Sequence, residues 1–181
     1  MRTLLREVLI VIAVAIAVFI VSRTAVQSFI VVGISMEPSF EEGQRLLINR
    51  AVYHFREPAR GDVIVFQPPG NQPDYIKRII ALPGDTVEIK EEAVYVNGSQ
   101  LYEPYIKDPP SYTLPPTKIP DNNYFVLGDN RNHSNDSHND WTVERTAIIG
   151  KAWLSIWPPG EWGLAPNYPL QEQLASAELL P

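Results

Sequence analysis

Val8 to Val21 is an unbroken run of 14 apolar residues, and nothing else in this 181-residue chain limits its fold as strongly. Extended back to Leu4, the stretch is 18 residues long with only Arg6 and Glu7 interrupting it. As a helix it would reach about 27 Å, close to the thickness of a bilayer's hydrocarbon core. Val and Ile are poor helix formers in water, but a backbone in lipid must satisfy its hydrogen bonds internally, so a helix is expected there. No face of the run is polar, which argues against a core helix of a soluble domain. Arg2, Arg6 and the α-amine precede the span and only Arg23 follows closely. The positive-inside bias therefore predicts residues 1–7 in the cytoplasm, a transmembrane anchor over 8–24, and everything later outside. A cleaved signal peptide has the same layout, but Ser22-Arg23-Thr24-Ala25 offers only a weak small-x-small site, which favours a retained anchor.

Beyond residue 22 the chain changes character. The remaining 159 residues carry 13 Lys and Arg against 20 Asp and Glu, so the outer part is acidic. An acidic domain lacks the basic footprint a nucleic-acid partner requires. The absence of cysteine excludes disulfides, thiolate metal sites and Cys nucleophiles. Short runs rich in Val, Ile, Leu and aromatics recur at Gln44–Asn49, Asp62–Phe66, Tyr75–Ala81, Thr86–Lys90, Ala93–Val96, Tyr124–Leu127 and Ile148–Ile156. They read as strands. Asn97-Gly98 and Pro83-Gly84-Asp85 are turn signals between them. The six prolines within residues 104–120 predict an extended surface loop. The expected architecture is mostly β. An extracytoplasmic, largely antiparallel domain of coiled sheets spans 25–158, with a small β extension over about 86–120. A Pro-rich tail at 159–181 follows, with a short helix over about 170–180.

The chemistry narrows by elimination. His54 is isolated, and His133 and His138 share one polar loop, so no Ser-His-Asp arrangement stands out. A serine with a lysine base is the remaining nucleophilic pair to test. Lysine serves as a base only where burial or a neighbouring cation lowers its pKa. Lys77 lies inside the apolar run Tyr75–Ala81, on one face with Tyr75 and Ile79, and Arg78 beside it adds positive charge. The alternative is a lysine whose stem covers a sheet while its head reaches water. Ser35, at the end of an apolar strand and before Pro38, could present its hydroxyl and backbone N–H to a reacting carbonyl, or be a plain turn residue. Met36 beside it suits a core plug better than a specificity element. The run from Gly128 to Asp140 is dense in polar side chains. It reads as a shell that orients a catalytic group, as a metal loop through Asp129, His133, Asp136, His138 and Asp140, or as an Asx-rich turn. The spacing matches neither an EF-hand nor a zincin.

Together these segments resemble bacterial type I signal peptidases. The resemblance rests on order: an apolar span, Ser35-Met36-Glu37-Pro38, Arg60 to Phe66, Tyr75 to Asp85, and Gly128-Asp129-Asn130-Arg131 continuing to Ser134, Asp136 and Ser137. It covers about residues 1–157. It implies a membrane-anchored serine endopeptidase that cleaves signal peptides from exported preproteins after small residues, without metal or cofactor. By position, Ser35 corresponds to the nucleophile, with its N–H in the oxyanion hole, and Lys77 to the general base. Ser134 corresponds to a serine bonded to the lysine amine, Asp136 and Arg78 to supports, and Gly128 to a small residue that leaves the site room. Phe29, Val31, Val32, Tyr75 and Ile76 correspond to the walls of shallow substrate pockets. Two positions depart from the common pattern: Gly33 stands where some members carry a second oxyanion donor, and His138 where an arginine usually pairs with the aspartate. The resemblance implies preproteins and the bilayer as partners, with the catalytic domain outside the plasma membrane. Trp153, Trp157 and Trp162 are candidates for membrane contact or for the core. Two other classes compete. A tethered β binding module would not need Ser35 or Lys77. A repressor-type autoprotease would need an internal Ala-Gly site, and the sequence has none.

Overall fold

A computed structural model describes residues 2–70, 72–166, 168 and 170; within the N-terminal helix it describes the side chains of 6–16, 19 and 25. Helix α1 runs Arg2–Ala25, taking in the charged segment before the apolar run as well as the run itself. Its described apolar side chains between Val8 and Ile16 are exposed, on every face of the helix. Among the described residues no helix is long and apolar enough to cross a membrane, so the structure shows a helix at the expected anchor but not a membrane span.

The described residues then form twelve strands: β1 Val26–Ile30, β2 Arg45–Asn49, β3 Val63–Phe66, β4 Tyr75–Ala81, β5 Thr86–Lys90, β6 Ala93–Val96, β7 Ser99–Gln100, β8 Leu114–Lys118, β9 Asn123–Leu127, β10 Val143–Glu144, β11 Ile148–Trp157 and β12 Gly163–Leu164. An eight-stranded sheet is ordered β1-β2-β11-β3-β4-β9-β10, with β12 on β11; a four-stranded sheet is ordered β7-β6-β5-β8. All pairings are antiparallel. Register shifts in β11 and β4 insert bulges, which bend strands and strengthen twist, so the large sheet curls.

The fold follows from alternation. On β5, Val87 and Ile89 are buried while Thr86 and Glu88 are half-buried, and β6 repeats the pattern with Val94 and Val96. These residues pack with Ile80, Phe125 and Leu127 and join the small sheet to β4 and β9. Asn97 and Gly98 both have positive φ, as the two-residue turn into β7 requires. The expected surface loop at 104–120 is only partly that. Its residues 114–118 form β8, which pairs with β5 alone and so keeps Pro115 and Pro116 on a sheet edge, where a missing N–H costs no ladder bond. Tyr105 and Ile119 from the same segment are buried. The short strands β7, β10 and β12 escape a search for apolar runs because two residues carry no periodicity. The expected tail helix lies almost wholly outside the described residues. Trp153, Trp157 and Trp162 are exposed rather than in the core.

Candidate active site

Three segments converge at the centre of the large sheet. Beyond β1, Gly33 takes φ +80° and turns the chain, and Met36 and Phe40 plug it into the core beside Val31. Ser35 is held on this turn by Asn130, whose N–H donates to the Ser35 carbonyl at 3.1 Å and whose Nδ2 donates to the Ile34 carbonyl at 3.1 Å. The Ser35 N–H has no hydrogen-bond partner among the described residues, so it is free to donate.

Lys77 enters from β4, where every residue after Tyr75 is buried. Its Nζ lies 2.7 Å from Ser35 Oγ and 2.9 Å from the Ile76 carbonyl, and 5.3 Å from the centre of the Tyr75 ring. No carboxylate lies within salt-bridge distance of it among the described residues. Burial therefore dominates and pushes its pKa down to about 8, although the negative charges of Asp136 and Asp129 pull the other way. An amine in this state is substantially neutral near pH 8 and can accept a proton.

Arg78, the next residue, behaves differently from the sequence expectation. It does not contribute to lowering the Lys77 pKa, because its charge is compensated on the opposite side of the strand. Its guanidinium donates to both oxygens of Asp129 at 2.9 and 2.6 Å and to the carbonyls of Gly61 and Pro166. It also reaches Ser39 Oγ and lies over the rings of Tyr105 and Tyr168. Arg78 is thus a buried structural post between the turn that follows Ser35, β9 and the chain around residue 60.

The third segment follows β9. Asp136 is fully buried; its Oδ2 accepts the Gly128 N–H at 2.9 Å and its Oδ1 lies 2.7 Å from His138 Nδ1. His138 thus pairs with Asp136, and its ring stacks on Tyr112. Gly128 lies so close to Ser134 Oγ and the Ser35 carbonyl that any Cβ there would collide with both. The hydrogen bond expected between Ser134 and the lysine amine is not formed: Ser134 Oγ is buried and has no partner among the described residues. No group of three His, Asp or Glu side chains among the described residues is placed to hold a metal ion.

Of the expected pocket residues, Val31 and Ile76 are buried, Phe29 and Tyr75 are half-buried, and Val32 is 78% exposed. Sequence reasoning missed Asn130 as the residue that fixes the Ser35 turn; within a run of Asn, Asp and Ser it carried no distinguishing signal. It also missed Glu103, which holds Arg131 through two bonds of 2.7 and 2.6 Å and so braces the same loop.

The family model described as "Signal peptidase, peptidase S26" matches residues 4–157. Probable signal peptidase I-1 of Synechocystis sp. is 45% identical over 139 residues, covering 71% of this chain and 70% of the relative. Signal peptidase IB of Staphylococcus aureus is 35% identical over 181 residues, covering 90% of this chain and 94% of the relative. A crystal structure of a signal peptidase I from Enterococcus faecalis V583 has 32% identity, covers 53% of this chain and 97% of that chain, and aligns with a TM-score of 0.49.

Proposed function

This chain belongs to the signal peptidase family, peptidase S26, and is a peptidase; from that premise we propose that it removes signal peptides from membrane-bound preproteins with a Ser35–Lys77 dyad. The observation that carries the reading is the 2.7 Å contact between the buried, partner-poor Lys77 amine and Ser35 Oγ. Neutral Lys77 Nζ takes the Ser35 proton as Oγ attacks the scissile carbonyl carbon, and the Ser35 N–H donates to the oxygen that gains charge. The Lys77 ammonium then gives its proton to the departing amine, leaving an acyl ester on Ser35. Water, deprotonated by the same amine, cleaves that ester and regenerates the free hydroxyl.

The preprotein lies extended in this proposal. β9 pairs with β4 only from Arg78 onward, which leaves residues 75–77 unpaired on that side, and β1 is the terminal strand of the sheet. A peptide strand can add there through main-chain hydrogen bonds. Phe29, Tyr75 and Val32 have surface to offer its side chains, while buried Val31 and Ile76 shape the pockets from beneath. Shallow walls of this kind accept small residues such as Ala. Gly128 keeps the space beside Ser35 open, and Asp136 holds the Gly128 backbone.

The anchor belongs to the same reading. The apolar run of α1, exposed from Val8 to Ile16, supports a single crossing with the catalytic domain on the outer side of the cell membrane. Because signal peptides also lie in the bilayer, anchoring confines enzyme and substrate to one surface and raises their effective concentration. The test is cleavage of a preprotein ending its signal peptide in Ala-x-Ala by the wild type, Ser35→Ala and Lys77→Ala proteins. Both variants are expected to lose at least about a thousandfold in kcat/KM, the scale on which covalent and general-base groups act together. Normal cleavage by Ser35→Ala overturns the proposal.

A further inference from the structure

A second concave site lies at the root of α1, away from Ser35. A cavity of about 500 Å³ is lined by Ala25, Arg50, His54, Arg145, Thr146 and Ile149 among others, and no acidic residue lines it. Ala25 is the last residue of α1, and its carbonyl accepts the Arg50 N–H at 2.8 Å, so cavity and helix end are directly joined. The Arg50 side chain is exposed and has no hydrogen-bond or ion-pair partner among the described residues. Arg145 spends its Nε on Glu57 at 2.9 Å, a carboxylate that is 77% exposed, and its Nη2 on the Tyr53 carbonyl, leaving Nη1 available. Beside His54, Phe55 is 88% exposed, a large apolar side chain that no described residue covers.

These features conflict with the acidic balance of the outer domain unless the local charge has a use. An acidic domain is repelled by an anionic membrane surface, yet the one point where the chain must meet that surface carries two guanidinium groups and an imidazole in a hollow. If α1 crosses the bilayer, as proposed above, the residues just beyond Ala25 sit within the layer of lipid headgroups, which is only several ångström thick. A phosphodiester offers two charged oxygens that match the planar fork of a guanidinium, and the glycerol next to it suits an imidazole and a threonine hydroxyl. An exposed Phe alongside can enter the acyl-chain boundary.

We propose that the cavity formed by Arg50, His54 and Arg145 at the end of α1 binds the phosphodiester headgroup of an anionic phospholipid. The site seats the catalytic domain against the bilayer at a set height, and it rests on the membrane anchoring proposed above.

The test uses the full chain in mild nonionic detergent, with native mass spectrometry to count retained short-chain phosphatidylglycerol or phosphatidylcholine. The wild type is expected to retain phosphatidylglycerol in preference. Each basic residue near a membrane surface contributes about fivefold to such binding, so Arg50→Gln should weaken the preference about fivefold. Arg50→Glu should abolish it. Lys118→Glu, the same charge change on the exposed edge strand of the small sheet, should leave it intact. Equal retention of the two lipids by the wild type, or an unchanged preference in Arg50→Glu, overturns the proposal. Soluble glycerol phosphate distinguishes the source of the anion. It should not displace the lipid at equal concentration, and displacement would mean a site for free phosphates instead. Alkaline extraction from phosphatidylcholine vesicles separates the two readings. A chain that is stripped off defeats the anchor and this site with it. A chain that stays but shows no lipid preference defeats the site alone.

Discussion

Lys77 and Arg78 are adjacent on β4, both cationic and both withdrawn from water, and the protein gives them opposite treatment. Arg78 receives a bidentate carboxylate, two backbone carbonyls, a hydroxyl and two aromatic faces. Lys77 receives a hydroxyl, one carbonyl and the face of Tyr75, and no carboxylate. The pKa of Arg78 is accordingly raised, with burial outweighed by Asp129, whereas burial wins at Lys77 and brings it down to about 8. Because a strand sends successive side chains to opposite faces, one element can hold a permanent ion pair on one side and a deprived amine on the other. The contrast shows how the Lys77 amine is lowered: burial does it, while the nearest carboxylates, Asp129 and Asp136, are held in other pairs.

The strongest way to break this comparison is to strip Arg78 of its role. Arg78→Met leaves Asp129 buried without its partner, and removal of one member of such a pair costs about 3–5 kcal/mol. Urea unfolding of the variant should show that loss. Arg78→Met combined with Asp129→Leu should recover most of it, since the pair as a whole contributes little beyond an apolar replacement. A double variant as unstable as the single one would mean that the contacts of Arg78 with Gly61, Pro166 and the two tyrosines matter more than its charge.

Lys77→Met should move stability the other way. The amine falls from 10.5 to about 8 on folding, so between those values the folded state binds fewer protons than the unfolded chain, and stability rises with pH across that window. Below pH 8 the full penalty is present, about 3 kcal/mol for a shift of this size. The Met variant, with no charge to bury, should be more stable than the wild type by that order at pH 7 and should lose its advantage by about pH 10.5. Its activity should be absent throughout. If the advantage of Lys77→Met over the wild type is no larger at pH 7 than at pH 10, the amine is charged and satisfied, and the contrast with Arg78 collapses.

The pH dependence of kcat/KM sharpens the same point without any substitution. A base that must be neutral gives a rate that falls tenfold per unit below its pKa. With Lys77 at about 8, the rate should rise about fiftyfold between pH 6 and pH 8 and level off above pH 9. A midpoint near 6 would assign the base to a histidine instead.

How much of this was legible beforehand follows from what each signal depends on. Lys77 stood out because a lysine inside an apolar strand is a local anomaly, visible in seven consecutive residues. The treatment of Arg78 was misread because its partner Asp129 lies 51 positions away and only the sheet brings β4 and β9 together. Strands such as β5 and β6 were legible through alternation and the Asn97-Gly98 turn; β8 was hidden because Pro115 and Pro116 resemble loop, and only an edge position reconciles them with pairing. Ser35 was indistinct as a residue and gained meaning from the order of motifs. Asn130 was not legible at all, since its importance lies in which carbonyls it reaches.

The smallest effect concerns Ser134. The family resemblance implies a hydrogen bond from this residue to the lysine amine, whereas here its hydroxyl is buried without a partner among the described residues. A buried hydroxyl left unpaired is a penalty rather than a support, so Ser134→Ala should be neutral or stabilising by up to about 1 kcal/mol. If Ser134 acts only as a wall beside Gly128, kcat/KM should fall less than about tenfold and the midpoint of the pH–rate profile should not move. If instead the hydroxyl turns to the amine when substrate is bound, removing it withdraws a contact that sets Lys77 apart, and the kcat profile should shift while the free-enzyme profile stays put. The two profiles report the complex and the free protein separately. Together they decide whether Lys77 is kept poor in partners throughout the cycle or only until a preprotein arrives.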